Sequence, residues 1–304
     1  MRAEIEVSVV LPNYNCLPTL PRAINSIRAQ EVDVEIIVVD DGSTDGSVEW
    51  LLDQPDITLL HSERAGASRA RNLGIEQCSH ELIAFLDADD YWLDNKLAQQ
   101  LEIHRHCPDV VCSFTDYMHT TEAGKQIIGC FDYWPRFRKQ LNDGPVTVFP
   151  NLTPQLFAEN VIGTSTVIVK KQTLLAVGGF DPTLKSASDW DLWLKVAKLG
   201  SVGVVNLSLC HYITDRSGAI SRDQYKRLAA MKCILDRHQS SLRVFPSALL
   251  FGYLRWVTGK AEYNRILKEY RYSIFQELLV LCFQPEMRRF KAVGRDVLNV
   301  LSFK

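Results

Sequence analysis

The chain has 304 residues, a formal net charge of −2, 46% hydrophobic residues and 23% charged residues. These values exclude a disordered chain and give no electrostatic reason to bind nucleic acid. The length suits one large domain, or a domain of roughly 200 residues with an extension.

No segment offers about 18 consecutive apolar residues, so a spanning helix is not expected. The chain reaches Pro12 after a short apolar run, too short for a signal peptide. Cysteines stand at 16, 78, 107, 112, 130, 210, 233 and 282, with no CxxC pair. That scatter suggests neither a zinc site nor a disulfide framework, and it fits buried thiols in a reducing cytosol.

Up to about residue 110, β-rich runs alternate with helical stretches. Ile5–Leu11, Val34–Val39, Ile57–Leu60 and Leu82–Leu86 read as strands. Leu20–Arg28, Ser47–Leu52 and Ser68–Gln77 read as helices. Apolar strands separated by helices predict a parallel sheet covered on both faces, and such sheets bind ligands at the carboxyl ends of their strands. Polar groups follow three of these strands: Pro12-Asn13-Tyr14-Asn15, Asp40-Asp41-Gly42-Ser43 and Asp87-Ala88-Asp89-Asp90. Their convergence predicts a site.

From 110 to 215 the pattern is mixed. Val110–Tyr117 and Ser165–Lys170 look like strands, and Asp189–Leu199 has helical periodicity. From about 221 onward the pattern is mainly helical. Phe245–Val257 and Tyr270–Phe283 are apolar enough to pack, and Arg288, Arg289, Lys291, Arg295 and Lys304 make the tail basic. A basic amphipathic helix can lie on an anionic membrane surface. An ordinary packing or dimer-forming segment gives the same pattern.

Asp87 and Asp89 stand just past a buried strand. Hard divalent cations take oxygen ligands, and Mg²⁺ typically binds one or two carboxylates plus substrate phosphates. Such a cation stabilises charge on a departing phosphate. The same acids also suit a turn. Asp41–Gly46 begins like an EF-hand loop, but Leu52 occupies the twelfth position, where a bidentate Glu is required. Ser188-Asp189-Trp190-Asp191 opens a helix, where Ser188 can cap and Asp191 can complete a capping box. Asp189 is also a candidate general base, a role worth roughly 10²–10⁴-fold in rate. His104 and His106, two apart on a helix, make a poor metal pair.

Taken in order, these motifs resemble glycosyltransferase family 2, the inverting group with the GT-A fold. The carrying residues are Val9–Asn15, Glu35–Asp45, Gly66, Ser68, Ala70–Ile75, Phe85–Asp90, Val177–Asp181 and Asp189–Leu194. The resemblance covers about residues 5–215. It implies an α/β, Rossmann-like GT-A domain over 1–215, with a mostly parallel central sheet flanked by helices. Within it, 1–110 would bind nucleotide and 111–215 the acceptor, with a C-terminal helical extension over 216–304.

The resemblance also implies roles. Pro12, Tyr14 and Asn15 would lie along the nucleoside. Asp40 would accept from the uracil ring, and Arg71 would reach the base or diphosphate. Asp87 would contact the ribose or the metal's water shell, Asp89 would coordinate Mn²⁺ or Mg²⁺, and Asp189 would be the base. Trp190 and Asp191 fall on the acceptor side, and His211 falls where some relatives place a residue near the diphosphate. Ser188 replaces the Glu often found before the base, and Lys195 stands where many members have Arg.

The expected reaction moves a sugar from a nucleotide sugar, most simply a UDP-sugar, to a hydroxyl of a glycan or lipid-linked glycan in polysaccharide or lipopolysaccharide assembly. The expected location is cytoplasmic, with peripheral contact at the inner face of the cell membrane. Two rivals are a nucleotidyltransferase and an inactive sugar-nucleotide sensor on the same fold. The first wants a Gly-rich basic loop where Pro12–Asn15 stands, and intact Asp87, Asp89 and Asp189 weigh against the second.

Overall fold

The computed structural model describes residues 7–214 and 223–302. The described chain forms two compact units, one made chiefly of residues before 219 and the other chiefly of residues from 220 onward. The expected boundary at 215/216 falls outside the described residues, as do Ile5, Glu6 and Lys304.

The first unit is built on a ten-stranded mixed sheet. Its strands are β1 (Val7–Asn13), β2 (Val34–Asp40), β3 (Ile57–His61), β4 (Leu82–Phe85), β5 (Tyr91–Trp92), β6 (Val110–Thr120), β7 (Gln126–Gly129), β8 (Val146–Phe149), β9 (Ile168–Lys170) and β10 (Ser201–Ile213). The main path runs β3-β2-β1-β4-β9-β6-β10-β5, with β7 on β6 and β8 on β10.

The first four strands pair with one another in parallel. β1 pairs with β2 and β4, and β2 pairs with β3, all in parallel. Val7, Val9, Val10 and Leu11 are wholly buried, as a strand covered on both faces requires. The helix Leu20–Arg28 buries Leu20, Ala23, Ile24 and Ile27, a single face at helical spacing. The helix Ala67–Gln77 crosses β1 so closely that a Cβ at Gly74 would stand 2.5 Å from Val10 Cγ1. The register matches Asn13 with Asp40, so these two strand ends lie side by side. β1 sits between β2 and β4, the switch point where open sheets of this kind hold ligands.

Beyond β4 the sheet turns mixed. β9 is antiparallel to both β4 and β6, whereas β10 runs parallel to β6. The expected strand over Ser165–Lys170 begins only at Ile168, after a 3₁₀ turn at Thr164–Thr166. The reason lies in Ser165, whose hydroxyl bonds Asp90 Oδ2 at 2.5 Å and accepts from Asp87 N–H at 3.1 Å. Those bonds pull the segment out of extended pairing and toward the β4 end.

The second unit contains the helices Gln224–His238, Pro246–Ile266, Tyr270–Leu281 and Met287–Ser302. Its last helices are joined by buried charge. Asp296 is fully buried and accepts from Arg265 Nε at 2.8 Å and from Ser273 Oγ at 2.7 Å. Arg265 and Arg289 both reach Glu277. Arg289, expected in a basic surface tail, is therefore an interior residue. Arg288, Lys291 and Arg295 are exposed.

All eight cysteines remain thiols, and most are buried. Cys233 and Cys282 are exposed, contrary to the expectation of uniformly buried thiols. Among the described residues no helix is long and apolar enough to cross a membrane.

Candidate active site

Two loops meet at the ends of β1 and β2. Asn13 Nδ2 donates to Asp40 Oδ1 at 2.8 Å and to Ser43 Oγ at 3.1 Å. Asn15 N–H donates to Ser43 Oγ, and Asn15 Oδ1 accepts from Thr44 N–H at 2.8 Å. Asn15 holds this bend at φ +50°, a region Asn tolerates better than most residues. Pro12 continues β1 in register with Val39.

Asp40 is only 1% exposed, and its Oδ2 accepts from the N–H groups of Gly42 and Ser43. Its carboxylate thus fastens the turn from within. Contact with a base, the role implied by the resemblance, would have to be shared with these bonds. Tyr14 is 45% exposed, and the Arg64 guanidinium carbon lies 5.8 Å from its ring centre. This exposed pair flanks the crevice.

Asp41, given no role from sequence, proves to be a positioning residue. Its carboxylate accepts from Ser62 Oγ and from the N–H groups of Ala65 and Gly66. That sets the start of the Ala67–Gln77 helix and with it Arg71. The acidic step after a strand was visible in the sequence, but its partners lie more than twenty residues away.

Arg71 is nearly buried and donates from Nη2 to Asp87 Oδ1 at 2.5 Å. Burial would lower its pKa, but the charges of Asp87, Asp189 and Asp89 leave it raised. Asp189 is half-buried, and its Oδ2 accepts a long 3.5 Å bond from Thr164. Burial raises the Asp189 carboxyl, the Trp190 N–H and Arg71 oppose the rise, and the charge of Asp87 adds to it. Residues 71, 87, 89 and 189 therefore share one electrostatic neighbourhood.

Asp90 completes the framework. It accepts from Ser165 Oγ and from the Ile213 N–H at 3.0 Å, tying the β4 end to β10. Burial and the charges of Asp89 and Asp87 push its pKa well up. Arg22 donates to the Asp89 carbonyl at 3.1 Å and lies over Tyr91. His211 stacks on Tyr91 at 4.7 Å, and its Nδ1 is bonded to Thr120 Oγ1 at 2.7 Å. The structure thus sets His211 behind the Asp87–Tyr91 loop.

Trp190 and Asp191, expected on the acceptor side, lie in the core instead. Trp190 is 1% exposed and donates from Nε1 to the Leu156 carbonyl. Asp191 is fully buried and pairs with Lys195 Nζ at 2.7 Å. The helix spans Ser188–Val196, so Ser188 is its first residue rather than its cap. The Ser188 hydroxyl is bonded to Ser68 Oγ at 2.9 Å. His104 bonds Ser113, and burial, aided by Lys170, lowers its pKa to about 4; His106 is exposed.

Among the described residues, no group of three or more His, Cys, Asp or Glu side chains could hold a metal by itself. Asp87 and Asp89 offer hard oxygen donors at one strand end. That donor set fits a cation that completes its shell with phosphate oxygens and water.

Residues 8–153 match the family described as Glycosyl transferase family 2. This part of the chain belongs to glycosyltransferase family 2. A Rickettsia felis protein named "Uncharacterized glycosyltransferase" is 30% identical over 210 residues, covering 68% of this chain and 32% of that protein. The chain thus spans about a third of the length of the first curated relatives it matches. The Escherichia coli UDP-Glc:alpha-D-GlcNAc-diphosphoundecaprenol beta-1,3-glucosyltransferase WfaP is 27% identical over 234 residues, 75% of this chain and 85% of that enzyme.

Two solved structures share the GT-A fold of this chain. S. aureus TarS 1-349 in complex with UDP-GlcNAc superposes with a TM-score of 0.63 at 18% identity, covering 97% of this chain and 89% of that one. Mannosyltransferase PcManGT from Pyrobaculum calidifontis, in complex with GDP-Man and Mn2+, superposes with a TM-score of 0.58 at 17% identity, covering 97% and 85%.

Proposed function

We propose that this protein is an inverting glycosyltransferase that moves one sugar from a UDP-sugar to a hydroxyl of a lipid-linked glycan. The observation that carries the reading is the convergence of Asp189, Arg71, Asp87 and Asp89 at one end of the sheet. In this reading a carboxylate distant in sequence deprotonates the nucleophile beside a pair of acids suited to a diphosphate-bound cation.

In this reading Asp189 accepts the proton of the acceptor hydroxyl. The acceptor oxygen forms a bond to the anomeric carbon as the bond from that carbon to the diphosphate breaks, and the configuration inverts. Burial supports the role, because a raised carboxyl pKa makes a stronger base. Asp89, with Asp87, would hold Mn²⁺ or Mg²⁺, which supplies positive charge to the diphosphate when bound. Arg71 adds a fixed cation to the same region. Tyr14 and Arg64 offer faces to the nucleoside, with Pro12, Asn15 and Asp40 shaping the loops beneath.

The named donors of the E. coli relative and of the TarS complex support a UDP-sugar, and the relative's acceptor supports a lipid-linked glycan. The proposal extends to membrane contact, which the second unit supports. Met287, Phe290, Val297, Leu298 and Leu301 recur at helical spacing and are all exposed, whereas Arg289 and Asp296 of the same helix are buried. Arg288, Lys291 and Arg295 flank that apolar stripe. An outward apolar stripe with a cationic edge is complementary to an anionic bilayer surface. Phe290→Glu combined with Leu298→Glu should abolish flotation with phosphatidylglycerol vesicles. Undiminished flotation of that variant, or no flotation of the wild type, rejects the contact.

The experiment for the activity is titration with UDP, with and without Mn²⁺, followed by transfer from a UDP-sugar panel to a synthetic GlcNAc-diphosphate lipid. Metal-assisted UDP binding with transfer is expected. UDP binding without turnover across donors and acceptors would favour the sensor instead.

A further inference from the structure

An aromatic shelf runs from the carboxylates outward along the second half of the sheet. Tyr212, on β10, lies nearest to them. Burial, and then the charges of Asp90, Asp87, Asp89 and Asp189, raise the pKa of its phenol. Its ring centre is 5.6 Å from that of Tyr117 and 5.6 Å from that of His119, both on β6. His119 lies 6.3 Å from Tyr133, which meets Trp134 edge-on at 4.9 Å. Tyr117 is buried, Tyr212, His119 and Trp134 are partly exposed, and Tyr133 is 52% exposed.

The shelf is held from beneath. Asp116 accepts from the N–H of Tyr117 at 2.8 Å and from the N–H of Phe131 at 3.0 Å. One buried carboxylate thereby ties β6 to the short turn of helix Cys130–Tyr133, which ends at Tyr133. Gly163 clears the other side, since a Cβ there would stand 2.9 Å from the Tyr117 ring. Burial lowers the pKa of His119, so its ring is neutral at pH 7 and presents an uncharged face.

An aromatic cluster that served only packing would close over its members, as Phe114, Phe131 and Phe137 do. This one opens toward solvent at Tyr133. Tyr117 feels the charge of Asp189 as Tyr212 does. The phenols, imidazole and indole combine flat apolar faces with hydrogen-bonding edges. A pyranose has the matching chemistry, with C–H groups on its faces and hydroxyls around its rim. Aromatic residues supply large apolar contact with a polar handle, and C–H groups interact weakly but favourably with such faces.

We propose that Tyr212, Tyr117, His119, Tyr133 and Trp134 form a binding subsite for the sugar rings of the acceptor. This rests on the glycosyl-transfer reading above and names the side from which the hydroxyl reaches Asp189. The outer residues, Tyr133 and Trp134, engage a sugar farther from the reacting hydroxyl, so the acceptor carries more than one ring. The donor sugar is the other possible source of a pyranose face, and the test separates the two.

Labelled full-length protein, with UDP and Mn²⁺ present, is applied to an array of defined bacterial oligosaccharides. The wild type should bind a subset of them. Tyr133→Ala combined with Trp134→Ala should weaken that binding roughly ten-fold, the scale of a lost ring contact at each position. Tyr133→Phe, which keeps the ring, should retain it. Circular dichroism checks that each variant folds, and calorimetry with UDP and with UDP-glucose should give unchanged affinities.

Equal array signals from wild type and double variant, or no signal from the wild type, overturn the subsite. Loss of UDP-glucose affinity with UDP affinity intact assigns the ring faces to the donor and also overturns it. Failure of the wild type to bind UDP rejects the transferase reading itself, a result the array does not imitate.

Discussion

Arg71 and Asp87 form an ion pair at 2.5 Å at the end of β4. Asp87 is therefore partnered before any ligand arrives. The charges of Asp189 and Asp89 act on the same guanidinium. The charge of Arg71 also lowers the pKa of Asp189. Removing it by Arg71→Met should raise the Asp189 carboxyl further. The base must be ionised to act, so the acid limb of the kcat profile should move to higher pH. A pH–rate series on both proteins measures this, and an unmoved or downward-shifted limb would reject the coupling.

Asp189→Asn tests the base directly. Transfer should fall by about 10²-fold or more with UDP affinity nearly unchanged. Stability should move the other way. The folded pKa of Asp189 is raised above its unfolded value, so its contribution to stability is full at low pH and is lost as pH rises through the folded pKa. At neutral pH the ionised, half-buried carboxylate costs stability that Asn does not. The variant's Tm at pH 7.5 should exceed the wild-type Tm, and the gap should close on acidification. Full turnover, or a lower Tm at pH 7.5, would count against the assignment.

Much of this site was legible in the sequence because it sits at the ends of apolar strands. The strands at Val34 and Leu82 and the helix at Leu20 fall where hydrophobic pattern puts them. β10 escaped notice. Asn206, Ser208 and His211 break its apolar run, and register shifts between Val205 and Ser208 and between Ser208 and His211 spoil its alternation. The same kind of limit applies to side-chain direction. The resemblance set Trp190 and Asp191 on the acceptor side beside Asp189, but one turn of helix aims successive residues about 100° apart. Tertiary packing then gave the core Trp190 and Asp191.

Asp89→Ala should remove the dependence of UDP affinity on Mn²⁺ while leaving metal-free UDP binding close to wild type. The expectation follows from the donor set. Asp89 supplies one of the two oxygen-donor side chains of the Asp87-Ala88-Asp89 step, and a cation that completes its shell with phosphate oxygens depends on such carboxylates. Calorimetry of both proteins with and without Mn²⁺ decides it. Equal Mn²⁺ enhancement in the two would reject Asp89 as a ligand.

Gly179→Ala probes how the segment before the Asp189 helix is held to the helix Ala67–Gln77. Asn72 and Phe180 exchange two bonds, with Asn72 Nδ2 donating to the Phe180 carbonyl at 2.8 Å and Phe180 N–H donating to Asn72 Oδ1 at 2.9 Å. Gly179 lies beside them at φ +65°, and a Cβ there would stand 2.6 Å from Asn72 Oδ1. The strain of a left-handed alanine and the disrupted pair together should cost about 2–4 kcal/mol. Urea denaturation gives the value, and a change under about 0.5 kcal/mol would mean the pair is not structural.

Asp296→Ala addresses the second unit alone. Asp296 receives both Nε and Nη2 of Arg265, together with the Ser273 hydroxyl. Removing one partner of a buried ion pair leaves an uncompensated charge and typically costs about 3–5 kcal/mol. Arg265 would keep only Glu277 among the acids it contacts. Hydrogen exchange should therefore accelerate across the helices Pro246–Ile266 and Met287–Ser302, with less change in β1 and β4 of the other unit. Truncation near residue 285 would strip Arg289 and Asp296 from Glu277 and Arg265. Phe290 and Leu298 point outward, so their substitution alters the apolar stripe while the buried charges stay paired. If Asp296→Ala leaves exchange in those helices unchanged, the buried charges do not hold them together.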